Sequence, residues 1–382
     1  MWGYGARKDM PCQGVRDPLS ATAAVLEVGE TRIAIVGLDL GRSPARATLE
    51  VIREQAAASA GIDEVFLVGS HTHHGPCVEV ESRPPTADYV TVLRGRIVSA
   101  IAKAAERMAP ARIGVGSREV AFNRNRHTKI GPKAVDPLLA VLRLEESDGT
   151  PIATLVNFAA HPTTLPATML RWSADFPSSL RTRVEEKLGG LCVYLQGACG
   201  DLSTDRHGLD TDQFGARLGD EVVSVASEIT TAALERPSLE TRVEEFRFGQ
   251  RIDLEDPLTY AKYCLAFFPA LVDAYREEYR GGIRPTITVA LLGGEIGLVG
   301  ASGEFFSQHA VRLRGRARLP HLLFLGYCNG YHQYFPTIEA VAEGGYGADP
   351  EVSPVEVGAG ERMMDRALFH LFDMRGRIRT GP

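Results

Sequence analysis

The sequence predicts an α/β fold: a single large, multi-layered domain with mixed β-sheets flanked by helices. Short apolar runs rich in β-branched residues alternate with amphipathic helical patterns over most of the 382 residues. No repeat, low-complexity tract or linker divides the chain, so we expect one domain over residues 1–382. Polar residues follow several predicted strands directly, which places a candidate metal site at the carboxyl ends of those strands.

The predicted elements follow one another with short connections. A buried strand at 31–41 leads into a helix at 46–61 that ends at Gly61, a residue typical of helix C-termini. Glycine pairs also mark turns, so Gly293-Gly294 predicts a hairpin between two of the later strands. The other predicted strands are 64–70, 111–122, 138–146, 152–160, 191–197, 286–294, 295–302 and 321–327, and the other helices are 88–108, 212–234 and 257–279.

Composition and charge exclude several classes of protein. The formal net charge of -6 argues against nucleic-acid binding, which needs a basic surface to displace counterions from phosphates. No apolar run approaches the ~20 residues that span a bilayer, and no secretory signal pattern is visible. The six cysteines are scattered without a CxxC pair. We therefore expect a cytoplasmic protein without stable membrane insertion, and self-association into a homo-oligomer is compatible with this sequence.

Five predicted strands are followed directly by residues that bind metals or transfer protons. Because open α/β sheets present the carboxyl ends of their strands to one crevice, we expect these residues to lie together. In chain order they are His71, His73 and His74; His161; Asp201 and Ser203; Glu304; and Tyr331, His332 and Tyr334.

Imidazole and carboxylate groups together suit Zn²⁺, and a coordination position left open to water makes such a site hydrolytic. Each residue taken singly also has a structural interpretation. His161 could be a satisfied core histidine, and Glu304 could be a first-turn residue at a helix dipole. Asp201 and Ser203 could be turn or N-cap residues. The metal-site prediction therefore depends on the whole set of residues.

Six short motifs occur in an order that resembles the neutral (non-lysosomal) ceramidase family. The resemblance covers most of the chain, roughly residues 3–348, and corresponds to the catalytic N-terminal domain of that family. The motifs are SHTHHGP (70–76), NFAAHPT (157–163), SADFP (173–177), GACGDLS (197–203), GEF (303–305) and NGYHQY (329–334). The resemblance implies one Zn²⁺ per chain, and the ligands it implies are His71, His161, Glu304 and one tyrosine of the last motif, preferably Tyr334.

The resemblance and general hydrolase chemistry give roles to the other site residues. His73 lies two residues after His71 and is the predicted general base. Arg124, in FNRNRH (122–127), matches a family arginine that faces the site and is predicted to stabilise the oxyanion, with Arg126 as the alternative. Tyr331, the first tyrosine of NGYHQY, is predicted to belong to the catalytic residues.

Four further residues are expected around this centre. Asp201 and Ser203 are predicted to orient the substrate or support the ligands, because hydrolysis by a metal-activated water needs no covalent step. Asp175 matches a family motif and is expected to be structural. His74 stands where the family has serine, and we expect it to contact the substrate or supply another imidazole near the metal.

These observations predict a zinc-dependent hydrolase that cleaves the N-acyl amide bond of a ceramide-like lipid or another small N-acyl compound. The C-terminal immunoglobulin-like domain of full-length ceramidases is not expected within residues 1–382. Two alternatives remain open: an acyltransferase or esterase on the same zinc site, and a non-catalytic metal-binding relative that kept the scaffold.

Overall fold

Three mixed β-sheets and the helices on their outer faces make up the structure, a computed structural model that describes residues 1–8, 10–78 and 86–378. Two smaller sheets have two strands each. This arrangement confirms the predicted fold class of one α/β domain with mixed sheets.

Each large sheet has one parallel pair of strands at its edge, and its remaining neighbours are antiparallel. The first sheet contains β1 (Ala21–Val28), β2 (Thr31–Leu38) and β3 (Glu64–Gly69). The second contains β4 (Ala111–Glu119), β6 (Leu138–Glu146), β7 (Pro151–Phe158) and β8 (Leu191–Gln196). The third contains β10 (Leu239–Glu245), β11 (Thr286–Leu292), β12 (Ile296–Ala301) and β14 (His321–Leu325). The small sheets pair β5 (Asn123–Asn125) with β9 (Leu202–Thr204), and β13 (Glu304–Phe305) with β15 (Tyr334–Phe335).

Helices cover the outer face of each large sheet. The helices of the described residues are α1 (Arg46–Ala60), α2 (Thr86–Glu106), α3 (Phe176–Leu188), α4 (Thr211–Glu228), α5 (Pro257–Ala266), α6 (Pro269–Glu278), α7 (Ser307–Ala317), α8 (Ile338–Glu343) and α9 (Ala359–Met374). The first two pack on the first sheet, α3 and α4 on the second, and α7 and α9 on the third. Among the described helices, none combines the length and apolarity needed to cross a membrane.

The inner faces of the three large sheets share one hydrophobic core. Ile35 and Phe66 come from the first sheet, Leu155 from the second, and Leu298 and Leu323 from the third, and all are buried in the same cluster. Strands that are covered on both faces have nearly continuous apolar sequences, and for this reason the sequence predicts most of them. This shared core holds the three parallel strand pairs in fixed positions relative to one another.

The predicted elements agree with the structure where apolar periodicity is strong. The β11–β12 hairpin forms through Gly293-Gly294, as predicted. The single helix predicted at 257–279 is wrong: α5 ends at Ala266 and α6 begins at Pro269, because proline cannot continue a preceding helix. The strands β1 and β10 were not predicted, since ATAAVLEV is rich in alanine and LETRVEE in charged residues.

Candidate metal centre

His71 reaches the centre from the loop that follows β3. Its backbone is in the left-handed region (φ 67°), which is uncommon for a residue other than glycine and often occurs at functional sites. The ring is buried, and its Nδ1 lies 2.7 Å from the carbonyl oxygen of Gly41. Because only an N–H can bond to a carbonyl, Nδ1 carries the proton and Nε2 presents a lone pair towards the centre.

His161 follows β7 in the second sheet and is held in the same way. Its Nδ1 lies 2.7 Å from the carbonyl oxygen of Cys199 and 3.1 Å from that of Leu202, so it donates to the backbone. Its Nε2 lies 3.0 Å from Nε2 of His71. Burial, and next the charge of Arg126, lower the pKa of His161 to about 3, which keeps the imidazole neutral.

Glu304 approaches from the third sheet, just after β12. Its Oε2 lies 3.3 Å from Nε2 of both His71 and His161. Tyr331 donates a hydrogen bond of 2.5 Å to Oε1, and the hydroxyl of Tyr327 lies 3.2 Å from Oε2. Burial alone would raise the pKa of Glu304, but positive charge at the position of His71, carried by a proton or by a bound cation, holds it well below its ordinary value. The carboxylate is therefore ionised.

The donors at this centre fit a divalent cation of the zinc type. Two imidazole lone pairs and a carboxylate oxygen converge within 3.3 Å, and each histidine is oriented by a backbone carbonyl at its other nitrogen, as metal-bound histidines usually are. The Nη2 group of Arg126 lies within 3.0 Å of His161 Nε2, the Gly200 carbonyl and the Tyr334 hydroxyl. Because Nη2 has two hydrogens and three acceptors surround it, at least one of these acceptors receives no hydrogen bond from Nη2.

His73 also belongs to this cluster, but its environment differs from that of His71 and His161. Its Nε2 lies 3.3 Å from Nε2 of His71, and the candidate ligand atoms of His71, His73 and His161 all lie within 4.8 Å of one another. Its Nδ1 is buried and has no hydrogen-bond partner among the described residues, whereas the other two rings donate to carbonyls. Burial lowers the pKa of His73 well below its ordinary value, so the free ring is a neutral base.

The structure places Arg126, and not Arg124, next to the cluster. Strand β5 alternates in burial, with Asn123 and Asn125 turned inwards and Arg124 exposed between them. Arg126 lies just beyond the strand, where alternation no longer applies, and its guanidinium turns in to contact Tyr334 and the cluster. The predicted contact between Arg124 and the reacting groups is therefore corrected in favour of the alternative, Arg126.

The two tyrosines of NGYHQY occupy different positions around Glu304. Tyr331 donates directly to the carboxylate, whereas Tyr334 pairs with Glu304 through the β13–β15 backbone and accepts from Arg126 at 3.0 Å. Burial raises the pKa of both hydroxyls well above the ordinary value. Both therefore carry their protons in the absence of a metal.

Asp201 and Ser203 lie near the cluster, at its periphery. The buried Asp201 carboxylate accepts from the backbone N–H and hydroxyl of Ser307 at 2.6 and 2.9 Å, and from Asn125 Nδ2 at 3.0 Å. It thereby fixes the start of α7 against β5. Ser203 is half-buried in β9, and its backbone bridges to His161.

His74 and Asp175 have structural surroundings. His74 turns away from the cluster, and its Nε2 lies 2.7 Å from the guanidinium of Arg7, so it does not supply another imidazole at the cluster. A contact of His74 with the substrate stays a prediction. Asp175 caps α3: its carboxylate accepts from the N–H groups of Thr164, Leu165 and Phe176 at 2.7 to 3.1 Å.

Two contacts of the centre escaped the sequence prediction. Tyr327 stacks on His71 with ring centroids 4.1 Å apart, and it lies at the end of the last predicted strand, so strand-end reasoning could have found it. Trp2 packs edge-on against His71 and His73, with centroids 5.0 and 5.2 Å apart. No local sequence signal links Trp2 to this site, because only the folded chain brings the N-terminal segment there.

The five predicted strand ends meet because the parallel edge pairs of all three sheets direct their carboxyl ends to one place. The entire chain aligns with 72% of a neutral ceramidase from Pseudomonas aeruginosa, with a TM-score of 0.81 at 20% sequence identity. The chain has the neutral ceramidase fold. A ceramidase complexed with C2 gives the same TM-score of 0.81 at 19% identity, with 100% of this chain and 73% of that chain covered. No protein-family model matches the sequence. The ceramidase-like fold confirms the resemblance carried by the six motifs.

Proposed function

We propose that this protein is a zinc-dependent amidohydrolase that cleaves the N-acyl amide bond of a lipid or small molecule. The observation that carries the proposal is the convergence of His71 Nε2, His161 Nε2 and Glu304 Oε2 within 3.3 Å, inside a ceramidase-like fold. These three residues, with Tyr334 as the fourth, would hold one Zn²⁺ per chain. When bound, Zn²⁺ supplies Lewis acidity that polarises a carbonyl and activates water.

The chain's own residues supply the proton transfers and charge stabilisation. His73 is neutral, and its Nε2 faces the cluster, so it accepts the proton of the attacking water and returns it to the leaving amine. The guanidinium of Arg126 stabilises the negative charge that develops on the carbonyl oxygen. Tyr331 holds the Glu304 carboxylate in position through its hydrogen bond of 2.5 Å.

Alanine substitutions at the histidines test the metal site and the base separately. His71→Ala and His161→Ala should each lose bound zinc, measured by elemental analysis, together with hydrolysis of N-acyl amides. His73→Ala should keep its zinc while kcat falls about 10² to 10⁴-fold, as expected for a lost general base. His207, exposed on the surface, provides the matched control as His207→Ala. Zinc retained in both His71→Ala and His161→Ala would refute the ligand assignment.

Two arginines provide a matched pair for the oxyanion role. Arg126→Ala should lower kcat/KM by roughly 10² to 10³-fold, the usual effect of removing one such donor. Arg124 lies two residues before Arg126 and is exposed, so Arg124→Ala removes the same charge from the surface and should leave kcat/KM unchanged. Equal losses in both variants would contradict the placement of Arg126. Net amide synthesis from a free acid and an amine, without hydrolysis, would favour an acyltransferase on the same site.

A further inference from the structure

A narrow cleft opens over the metal centre and is walled mainly by aromatic and aliphatic side chains. Its cavity volume is about 80 Å³, and its floor includes Glu304 and His73. One wall is the N-terminal segment, with Trp2 and Tyr4, and the facing wall is the α5–α6 hairpin. A pocket that encloses a drug-sized ligand has roughly 300–1,000 Å³, so this cleft is several times smaller.

The N-terminal wall is built into the structure. Trp2 is buried, and a Cβ added at Gly41 would lie 2.1 Å from its Cε3, so the indole occupies space that only a glycine leaves free. Gly3 is equally close to His73: a Cβ there would lie 2.5 Å from His73 Cγ. Arg7 anchors the segment through a hydrogen bond of 2.5 Å to the His73 carbonyl oxygen. The wall therefore has no room to withdraw without breaking these contacts.

The facing wall is packed into the main core. Leu271 and Tyr275 of α6 are 6% and 3% exposed and belong to the same hydrophobic cluster as Trp2. Phe267 and Phe268, between α5 and α6, are half-buried and line the cleft from above. Widening the cleft would therefore expose apolar core surface to water, which is unfavourable.

A polar recess lies on the other side of Tyr346. It is lined by Arg126, His127, Lys129 and Glu343 and has a volume of about 280 Å³. Tyr346 borders both spaces. The two halves of an N-acyl amide thus have different surroundings, with the apolar cleft matching the acyl group and the polar recess matching a polar amine.

We propose that the substrate carries a short acyl group, of roughly four carbons or fewer, and that Trp2 and Phe268 set this limit. A water molecule occupies about 30 Å³, so the cleft holds roughly three groups of that size, and a methylene is of comparable size. A long acyl chain would have to leave its remaining methylenes in solvent, where they add no affinity. This inference rests on the proposed amidohydrolase function and narrows its substrate class.

Binding of alkyl hydroxamic acids tests the cleft independently of turnover. Titration calorimetry of the zinc-loaded protein would use two-, four-, eight- and sixteen-carbon hydroxamates, whose metal-binding group is constant. We expect affinity to rise up to about four carbons and then to stay level. A continued rise beyond eight carbons, by about 4-fold per methylene, would overturn the inference, because each buried CH₂ contributes about 0.8 kcal/mol. Failure of every hydroxamate to bind would overturn it as well.

Two variants test which residues set the limit. Phe268→Ala should tighten binding of the eight-carbon hydroxamate at least about 10-fold by opening the cleft, while Leu258→Ala, 74% exposed on α5, is the matched control. Trp2→Ala is the second cleft variant, and circular dichroism establishes that each is folded. Unchanged chain-length profiles in both cleft variants would refute the assignment of Trp2 and Phe268.

A parallel series of N-acyl amides with one amine measures turnover. Hydroxamate affinity that levels off at about four carbons, together with no hydrolysis of any amide, would support the chain-length limit of the cleft and refute the proposed function.

Discussion

His74 is predicted to make the folded protein sensitive to acid without touching the candidate metal centre. The ring is buried, and its Nε2 lies 2.7 Å from the guanidinium of Arg7. Because arginine is always protonated, Arg7 donates and His74 accepts, which requires the neutral imidazole. Burial, and next the charge of Arg7, lower the pKa of His74 from 6.5 to about 4.

The sign and size of the effect follow from this lowered pKa. Since the folded state binds the proton less tightly than the unfolded state, the contribution of His74 to stability is fully present above pH 6.5 and is lost as the pH falls through about 4. The two pKa values differ by about 2.5, and each pH unit corresponds to about 1.36 kcal/mol, so the loss is about 3 kcal/mol.

The variant His74→Gln isolates this contribution. A glutamine amide oxygen accepts from Arg7 but does not titrate, so the variant should lose about 3 kcal/mol less unfolding free energy than the wild type between pH 7 and pH 4. Urea denaturation followed by fluorescence at four pH values measures the difference, and His207→Gln is the exposed control.

Zinc loading provides the decisive comparison for His74. Because its ring turns away from the cluster, the difference between wild type and His74→Gln should be the same with and without zinc. Parallel stability curves for the two proteins would refute the reasoning about burial and Arg7. A difference that disappears on zinc loading would instead place His74 among the metal ligands.

Three further predictions concern the centre and its surroundings. Tyr331→Phe removes the hydrogen bond to Glu304 and should weaken zinc affinity about 10 to 100-fold, measured by chelator competition; unchanged affinity would contradict that role. Gly41→Ala should displace Trp2 and cost about 1–3 kcal/mol of unfolding free energy, and an unchanged denaturation midpoint and tryptophan spectrum would argue against the close contact. Native thiol titration should label the half-buried cysteines and spare the buried ones, whose pKa is raised by burial, and labelling of all six before unfolding would contradict this. The expected reactive set is Cys12, Cys77 and Cys264, and the protected set is Cys192, Cys199 and Cys328.

Much of the site could be predicted because its residues come at the ends of buried strands. A run of apolar residues that predicts a buried strand precedes each of His71, His161 and Glu304. Parallel strands bring their carboxyl ends to one edge of a sheet. The order of the motifs carried the resemblance to the ceramidase fold. The roles of His71, His161 and Glu304 as metal ligands stay predictions.

The choice between neighbouring residues required the tertiary structure. Arg124 and Arg126 have the same side chain two positions apart, and only the end of β5 decides which of them turns inwards. His73 and His74 are adjacent in sequence, but the His73 ring faces the cluster, whereas the His74 ring contacts Arg7, which is distant in sequence.

The sequence by itself determined the α/β class, most of the buried strands and the strand-end chemistry, because apolar periodicity and residue type are local properties. The tertiary structure decided which side chains meet, which ring nitrogen is protonated and how large the cleft is. Those properties depend on hydrogen bonds and packing between distant segments, as Trp2 shows most directly: its indole reaches His71 and His73 only where Gly41 leaves it space.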